Sequence, residues 1–159
     1  MKTCLFVLLF VARSILSFAQ PDMGSRAPDI ALPDANGKTI SLSSLKGKVV
    51  VLDFWASWCG PCRQANRELV SLYKKYKDKG LEIYSVSIDV NTRAWLYAIK
   101  QDRMDWLHVV DTQAAEGNQL TQTWNIRFIP ATFLIDKEGK LVATIDDVDK
   151  LEKKLKKLL

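Results

Sequence analysis

The chain is poor in two residue types that carry much protein chemistry: it has one histidine and three cysteines in 159 residues. A structural zinc site takes four ligands, chiefly Cys and His. A Cys pair here finds no second pair and only His108 to help it. A disulfide framework of the kind that staples small secreted domains needs several bridges, and this chain can form at most one. Long hydrophobic runs are also scarce. Beyond the N-terminal segment, nothing approaches the ~20 apolar residues of a membrane span. There is no repeat and no low-complexity tract. Lys and Arg number 23 against 18 acids, a mild imbalance with no nucleic-acid signature. Lys150, Lys153, Lys154, Lys156 and Lys157 crowd the C-terminus, where they suit a solvated helix face; weak attraction to a membrane surface is the alternative.

The N-terminus has what the rest lacks. Lys2 gives a positive start, Cys4 to Ala12 form an apolar stretch, and Ser17-Phe18-Ala19 places small residues at a cleavage position. This pattern predicts a secretory signal over residues 1–19 and a single domain over 20–159. Arg13 is out of place in it, and an uncleaved anchor is the competing reading. Membrane contact would then be confined to that N-terminus. Loss of Lys2 and Arg13 with the signal lowers the basic count from 23 to 21 against 18 acids, a net charge of +3. Cys4 leaves as well, so the exported chain would hold only Cys59 and Cys62.

Hydrophobic patterning orders the domain. Ile30-Ala31-Leu32 and Thr39-Ile40-Ser41-Leu42 flank Asp34-Ala35-Asn36-Gly37, and Asn-Gly between apolar runs predicts a hairpin. Val49 to Phe54 is nearly continuous and Val-rich, as in a strand buried on both faces. Leu69, Leu72, Tyr73 and Tyr76 recur at helical spacing, and Gly80 closes that helix. An alternating strand is expected at Leu81 to Ile88, a helix at Asn91 to Arg103, a short strand at Leu107 to Val110 and a third helix at Ala114 to Trp124. Thr132 to Ile135 and Leu141 to Ile145 read as strands around Asp136-Lys137-Glu138-Gly139. A closing helix over Asp147 to Leu158 puts Leu151, Leu155 and Leu158 on one face. Such alternation gives an α/β fold with helices on both faces of a sheet, the last hairpin adding antiparallel strands.

Between the Val49 to Phe54 strand and the first helix lies Trp58-Cys59-Gly60-Pro61-Cys62-Arg63. Two cysteines two residues apart at a strand–helix junction point to thiol–disulfide chemistry. The attacking species is the thiolate, and a free Cys with a pKa of ~8.5 is mostly protonated at neutral pH. The first helical turn favours the anion through its unpaired N–H groups and dipole. Cys59 stands there; Pro61 fits the first turn, where a missing N–H costs nothing; Gly60 leaves the sulfur uncovered. Cys59 is therefore expected to be the exposed nucleophile and Cys62 the shielded resolving thiol. Asp53 is the only charge in the run from Val49 to Trp55. A buried carboxyl has a raised pKa and can take the Cys62 proton; a solvent-facing Asp at a strand end is the plainer reading. Trp58 is expected to line the substrate surface. Arg63 either stabilises the thiolate or is solvated. Trp55, Trp95, Trp106 and Trp124 read as core, and His108 as a polar surface residue at a strand end.

The stretch Asp53-Phe54-Trp55-Ala56-Ser57-Trp58-Cys59-Gly60-Pro61-Cys62 resembles the thioredoxin active-site segment, and Phe128-Ile129-Pro130-Ala131-Thr132-Phe133-Leu134-Ile135-Asp136 resembles the second thioredoxin motif. The resemblance implies a thioredoxin fold with a central mixed sheet, an N-terminal β-hairpin and a central helical insertion between Val90 and Asn125. It implies a cis Ile129–Pro130 bond, a Pro130 loop facing Cys59, and pairing of the Ile129 backbone with an extended peptide; an ordinary strand-entry proline is the alternative. With the export signal, the chain resembles the TlpA/ResA-like branch. It departs from members linked to cytochrome c maturation, which carry Glu and Pro where this chain has Ala65 and Arg67. Asp53 replaces an Asn common in that branch, and Ser85 stands where thioredoxins often place a Lys.

The expectation is a periplasmic or otherwise exported thiol–disulfide oxidoreductase. It would act as a monomeric reductant of disulfide-containing proteins, without cofactor or metal, recharged by a membrane thiol donor. A thioredoxin-fold peroxidase is the first rival; Ala56, where peroxidases place Thr or Ser, speaks against it. A binding module or chaperone without turnover is the second.

Overall fold

The computed structural model describes residues 21–159; the expected signal segment lies outside them. A two-stranded sheet pairs β1 (Ala31–Pro33) with β2 (Thr39–Ser41). A five-stranded sheet follows, built from β3 (Val49–Trp55), β4 (Leu81–Ser87), β5 (Leu107–Val110), β6 (Ala131–Ile135) and β7 (Leu141–Ile145). Its order is β5-β4-β3-β6-β7. β3 pairs β4 and β4 pairs β5 in parallel, while β3–β6 and β6–β7 are antiparallel. The helices are α1 (Gly60–Tyr76), α2 (Thr92–Asp102), α3 (Gln119–Thr123) and α4 (Val148–Leu158). This is the thioredoxin fold with its N-terminal hairpin and an inserted helix. Among the described residues no helix is long and apolar enough to cross a membrane.

β3 is central, so all seven of its residues are buried. Strand alternation sends its side chains to two different cores. Val50, Leu52 and Phe54 face a cluster closed by the hairpin, a short turn at Leu42–Leu45 and Trp124 after α3. Val49 and Val51 face Leu69 and Leu72 of α1 and Leu151 and Leu155 of α4. Trp55 joins Cys59, Cys62 and the α2 residues Trp95 and Ala98. The hairpin is pinned to the sheet by Tyr84, whose hydroxyl donates to the Ile40 carbonyl at 2.8 Å.

Three local expectations are corrected. β4 ends at Ser87 and does not alternate between buried and exposed. It has strands on both edges and cores on both faces, so even Glu82 is buried, held by Lys48 at 3.0 Å and by the Tyr73 hydroxyl at 2.9 Å. The helix expected over Ala114 to Trp124 is two pieces. A single turn at Ala114–Glu116 ends on Gly117, whose φ of 75° is left-handed, and Asn118 then caps α3. His108, expected at the surface, is buried beside Trp55 and Trp106. Its Nε2 lies 3.3 Å from the Met104 carbonyl, and burial pushes its pKa down to about 4.

Candidate active site

The site forms where β3 ends and α1 begins. Cys59 N-H donates back to the Ala56 carbonyl at 3.1 Å, which closes the turn that starts the helix. Cys59 is the N-cap of α1, and its Sγ accepts from the Cys62 backbone N–H at 3.2 Å. A sulfur in the N-cap position receives one of the helix's unpaired donors, a geometry that favours negative charge there. Pro61 lies in the first turn. A methyl added at Gly60 would meet nothing within 4 Å, so packing does not require glycine there. The two cysteines form a disulfide with their Cα atoms 5.2 Å apart. Both are buried, Cys59 at 6 % exposure and Cys62 at 1 %; the expectation of an exposed Cys59 is corrected, because Ile129 packs against the cluster that holds it.

The second motif comes to the same place from the other side of the molecule's chain order. The Ile129–Pro130 bond is cis, and the Ile129 carbonyl oxygen stands 3.9 Å from Cys59 Sγ. Trp58 and Phe128 are exposed at 66 % and 78 %, one beside each motif, with the disulfide between the two segments. A cavity of about 560 Å³ opens next to them, lined by Pro61, Ala65, Pro130, Thr132 and acidic groups of α1 and the α4 start.

Asp53 lies within the sheet, buried, and opposite Ser85 on β4 and Thr132 on β6. Loss of water raises its pKa to about 7, partly offset by the Thr132 hydroxyl donating to Oδ1 at 3.0 Å. No cation pairs with it among the described residues. Ser85, its neighbour, instead accepts the Trp106 indole N–H at 2.8 Å. The solvent-facing alternative for Asp53 is therefore set aside.

Both alternatives for Arg63 give way to a third arrangement. Its guanidinium pairs with Asp102 at the end of α2, donates to Gln101 Oε1 at 2.7 Å and to the Ser57 carbonyl at 3.2 Å. It ties α1, α2 and the active-site turn together. A further residue escaped the sequence reading. Asp89, buried after β4, accepts from Ser57 N–H at 2.8 Å, from Ser57 Oγ at 2.6 Å and from Ser87 Oγ at 2.7 Å. It clamps the turn that presents Trp58 and Cys59. The signal in the sequence was an acid just past the end of an apolar strand, where Asp53 is an acid inside one.

A disulfide at the N-terminus of a helix, beside a cis-proline loop, with a buried carboxyl in the strand that leads into it, on this sheet order, defines a thiol–disulfide oxidoreductase of thioredoxin fold. Comparison with known proteins agrees. Residues 23–144 match the AhpC/TSA family, and the chain belongs to that family. It is similar to the thiol-disulfide oxidoreductase ResA of Bacillus thuringiensis subsp. konkukian, 35% identical over 140 residues that cover 86% of this chain and 79% of that protein. It is 38% identical over 122 residues to ResA of Bacillus subtilis, covering 77% of this chain and 66% of that protein. Among solved structures it resembles the thioredoxin domain of a thiol-disulfide oxidoreductase from Bacteroides vulgatus, with a TM-score of 0.80 and 35% identity over 87% of this chain and 98% of that one.

Proposed function

We propose that the protein reduces protein disulfides outside the cytosol, with Cys59 as nucleophile, Cys62 as resolving thiol and Asp53 as the base for the Cys62 proton. The observation that carries this is the N-cap position of Cys59, whose sulfur accepts the Cys62 N–H while Cys62 is the more deeply buried. Cys59 thiolate attacks a substrate disulfide and forms a mixed disulfide. Cys62 then gives its proton to Asp53, attacks Cys59 Sγ and expels the second substrate sulfur as a thiolate. The substrate gains two electrons and the Cys pair loses them. Trp58, Gly60, Pro61, Ile129 and Pro130 form the surface on which the substrate lies, its backbone extended along Ile129.

The Gly-Pro pair between the cysteines supports the reducing direction, since it is the dipeptide of thioredoxin. A potential of roughly −270 mV is expected, with catalysis of insulin reduction by dithiothreitol; a value near the ~−120 mV of DsbA would reverse the direction. No turnover at all would leave a binding module. A membrane thiol carrier returns electrons to the pair, and the protein works as a monomer. Residues 1–19 supply the export signal, supported by their charge and apolar pattern. N-terminal sequencing of the exported protein should begin at Gln20, and an intact Met1 would refute cleavage.

A further inference from the structure

Asn66 is buried at 1 % exposure, one helical turn past Cys62. Neither its Oδ1 nor its Nδ2 has a hydrogen-bond partner among the described residues. An interior amide with both ends unpaired is unfavourable, and native proteins satisfy such groups with a partner or with internal water. Leu69 and Leu72 show what the same face of α1 otherwise carries.

The position of Asn66 along the helix identifies what it faces. Cys62 shares a cluster with Trp55, and Leu69 shares the next with Val51. Four helical residues advance ~6 Å, and two strand residues ~6.6 Å. Moving from Cys62 to Asn66 thus keeps step with moving from Trp55 to Asp53, and Asp53 points to the same face of β3 as Val51 and Trp55. The other groups on that face near Asp53 are Ser85 on β4, His108 on β5 and Thr132 on β6. Thr132 occupies Asp53 Oδ1, Ser85 takes the Trp106 N–H, and His108 reaches towards Met104. The α1 cation Arg63 is committed to Asp102.

We propose that Asn66 is a positioning residue for the resolving step: its carboxamide holds one internal water between Cys62 Sγ and the Asp53 carboxyl. This rests on the roles given above to Cys62 and Asp53. The Cys62 proton passes to that water as the water's own proton passes to Asp53. The Cys62 thiolate forms the bond to Cys59 Sγ, and the bond from Cys59 to the substrate sulfur breaks with its electron pair leaving on the substrate. Asn66 neither gains nor loses a proton.

The test follows the resolving step alone. The reduced protein is mixed with Ellman's reagent, and release of the second thionitrobenzoate reports Cys62 attack on the Cys59 adduct, by stopped flow from pH 5 to 9. Asn66→Leu keeps the branched shape and the number of heavy atoms and removes the amide. It should slow release roughly tenfold at pH 7, a modest share of what proton-transfer catalysis supplies, and move the midpoint of the pH profile upward. Asn66→Ser, small enough to admit a water and polar enough to hold it, should recover most of the rate. Asp53→Asn should slow release too, and adding Asn66→Leu to it should then cost less than about twofold, since the two act on one proton. A wild-type rate and profile in Asn66→Leu, with Asp53→Asn slow, would overturn the proposal and leave the Asp53 role standing. An equal penalty in both backgrounds would overturn it as well. A wild-type rate in Asp53→Asn would remove the base and the proposal with it.

Discussion

Replacement of Asp53 by Asn is expected to make the protein more stable and less active. The carboxyl has a pKa of about 7 in the fold against 3.8 unperturbed. Between those values the folded state holds a proton that the unfolded chain has released. The folded state binds more protons, so stability falls as pH rises from about 4 to about 7 and is level above that. At ~1.4 kcal/mol per pK unit the penalty at pH 8 is about 4 kcal/mol. Asn carries no such charge. Urea titration of the oxidised protein should show Asp53→Asn stabilised by about that amount at pH 8 and hardly at all below pH 4. No gain at pH 8 would contradict the burial account. The rate effect has the opposite sign, because the costly carboxylate is the proposed base: resolution of the mixed disulfide should slow by ~10²-fold at neutral pH.

His108 shapes the same titration from the other side. Its folded pKa of about 4 lies below the unperturbed 6.5. The unfolded chain takes up a proton as pH falls below 6.5 while the folded state does not, so its contribution to stability is lost between about 6.5 and 4. Over that window Asp53 and His108 oppose each other, and the wild type should be nearly flat. Asp53→Asn removes one of the pair and should expose a rise of about 3 kcal/mol from pH 4 to 6.5.

The second large effect concerns the two thiols, which sit in one helical turn but in unlike surroundings. Cys59 caps the helix and receives an N–H; Cys62 lies deeper, at 1 % exposure, in the cluster that holds Trp55 and Trp95. Cys59→Ser should lower disulfide reduction by at least ~10³-fold, because an alcohol at this position has none of the thiolate's nucleophilicity. Cys62→Ser should abolish turnover to a similar extent for a different reason: the first attack still occurs, and the product stays on the enzyme. An insulin-reduction assay reads both losses. Retention of substantial turnover by either variant would mean that the pair does not act as a unit.

What the sequence revealed and what it hid divide along chain distance. The cysteines, Gly60 and Pro61 are legible because a helix N-terminus is a local structure. Asp53 stands out because an acid inside a Val-rich run is anomalous wherever the run goes. The hairpin and β3 follow from Asn-Gly and from continuous hydrophobicity. Asp89 was missed because its meaning lies in Ser57, 32 residues away, brought near only by parallel pairing of β3 and β4. Arg63 was misread for the same reason, since Asp102 is 39 residues distant. His108 looked like a strand-end surface residue. Its strand is at the sheet edge, but Trp106 and Trp55 cover it. Asn66 looks like an ordinary helix residue until its face is known.

The central claim is that Cys59 attacks and Cys62 resolves. It is tested most directly by incubating the Cys59→Ser and Cys62→Ser variants, each reduced, with a disulfide-bonded protein, quenching with acid and weighing the products by mass spectrometry. Cys62→Ser should hold the substrate as a mixed disulfide through Cys59, and Cys59→Ser should hold none. Adducts on Cys62 in the Cys59→Ser variant, at equal or greater yield, would contradict the assignment.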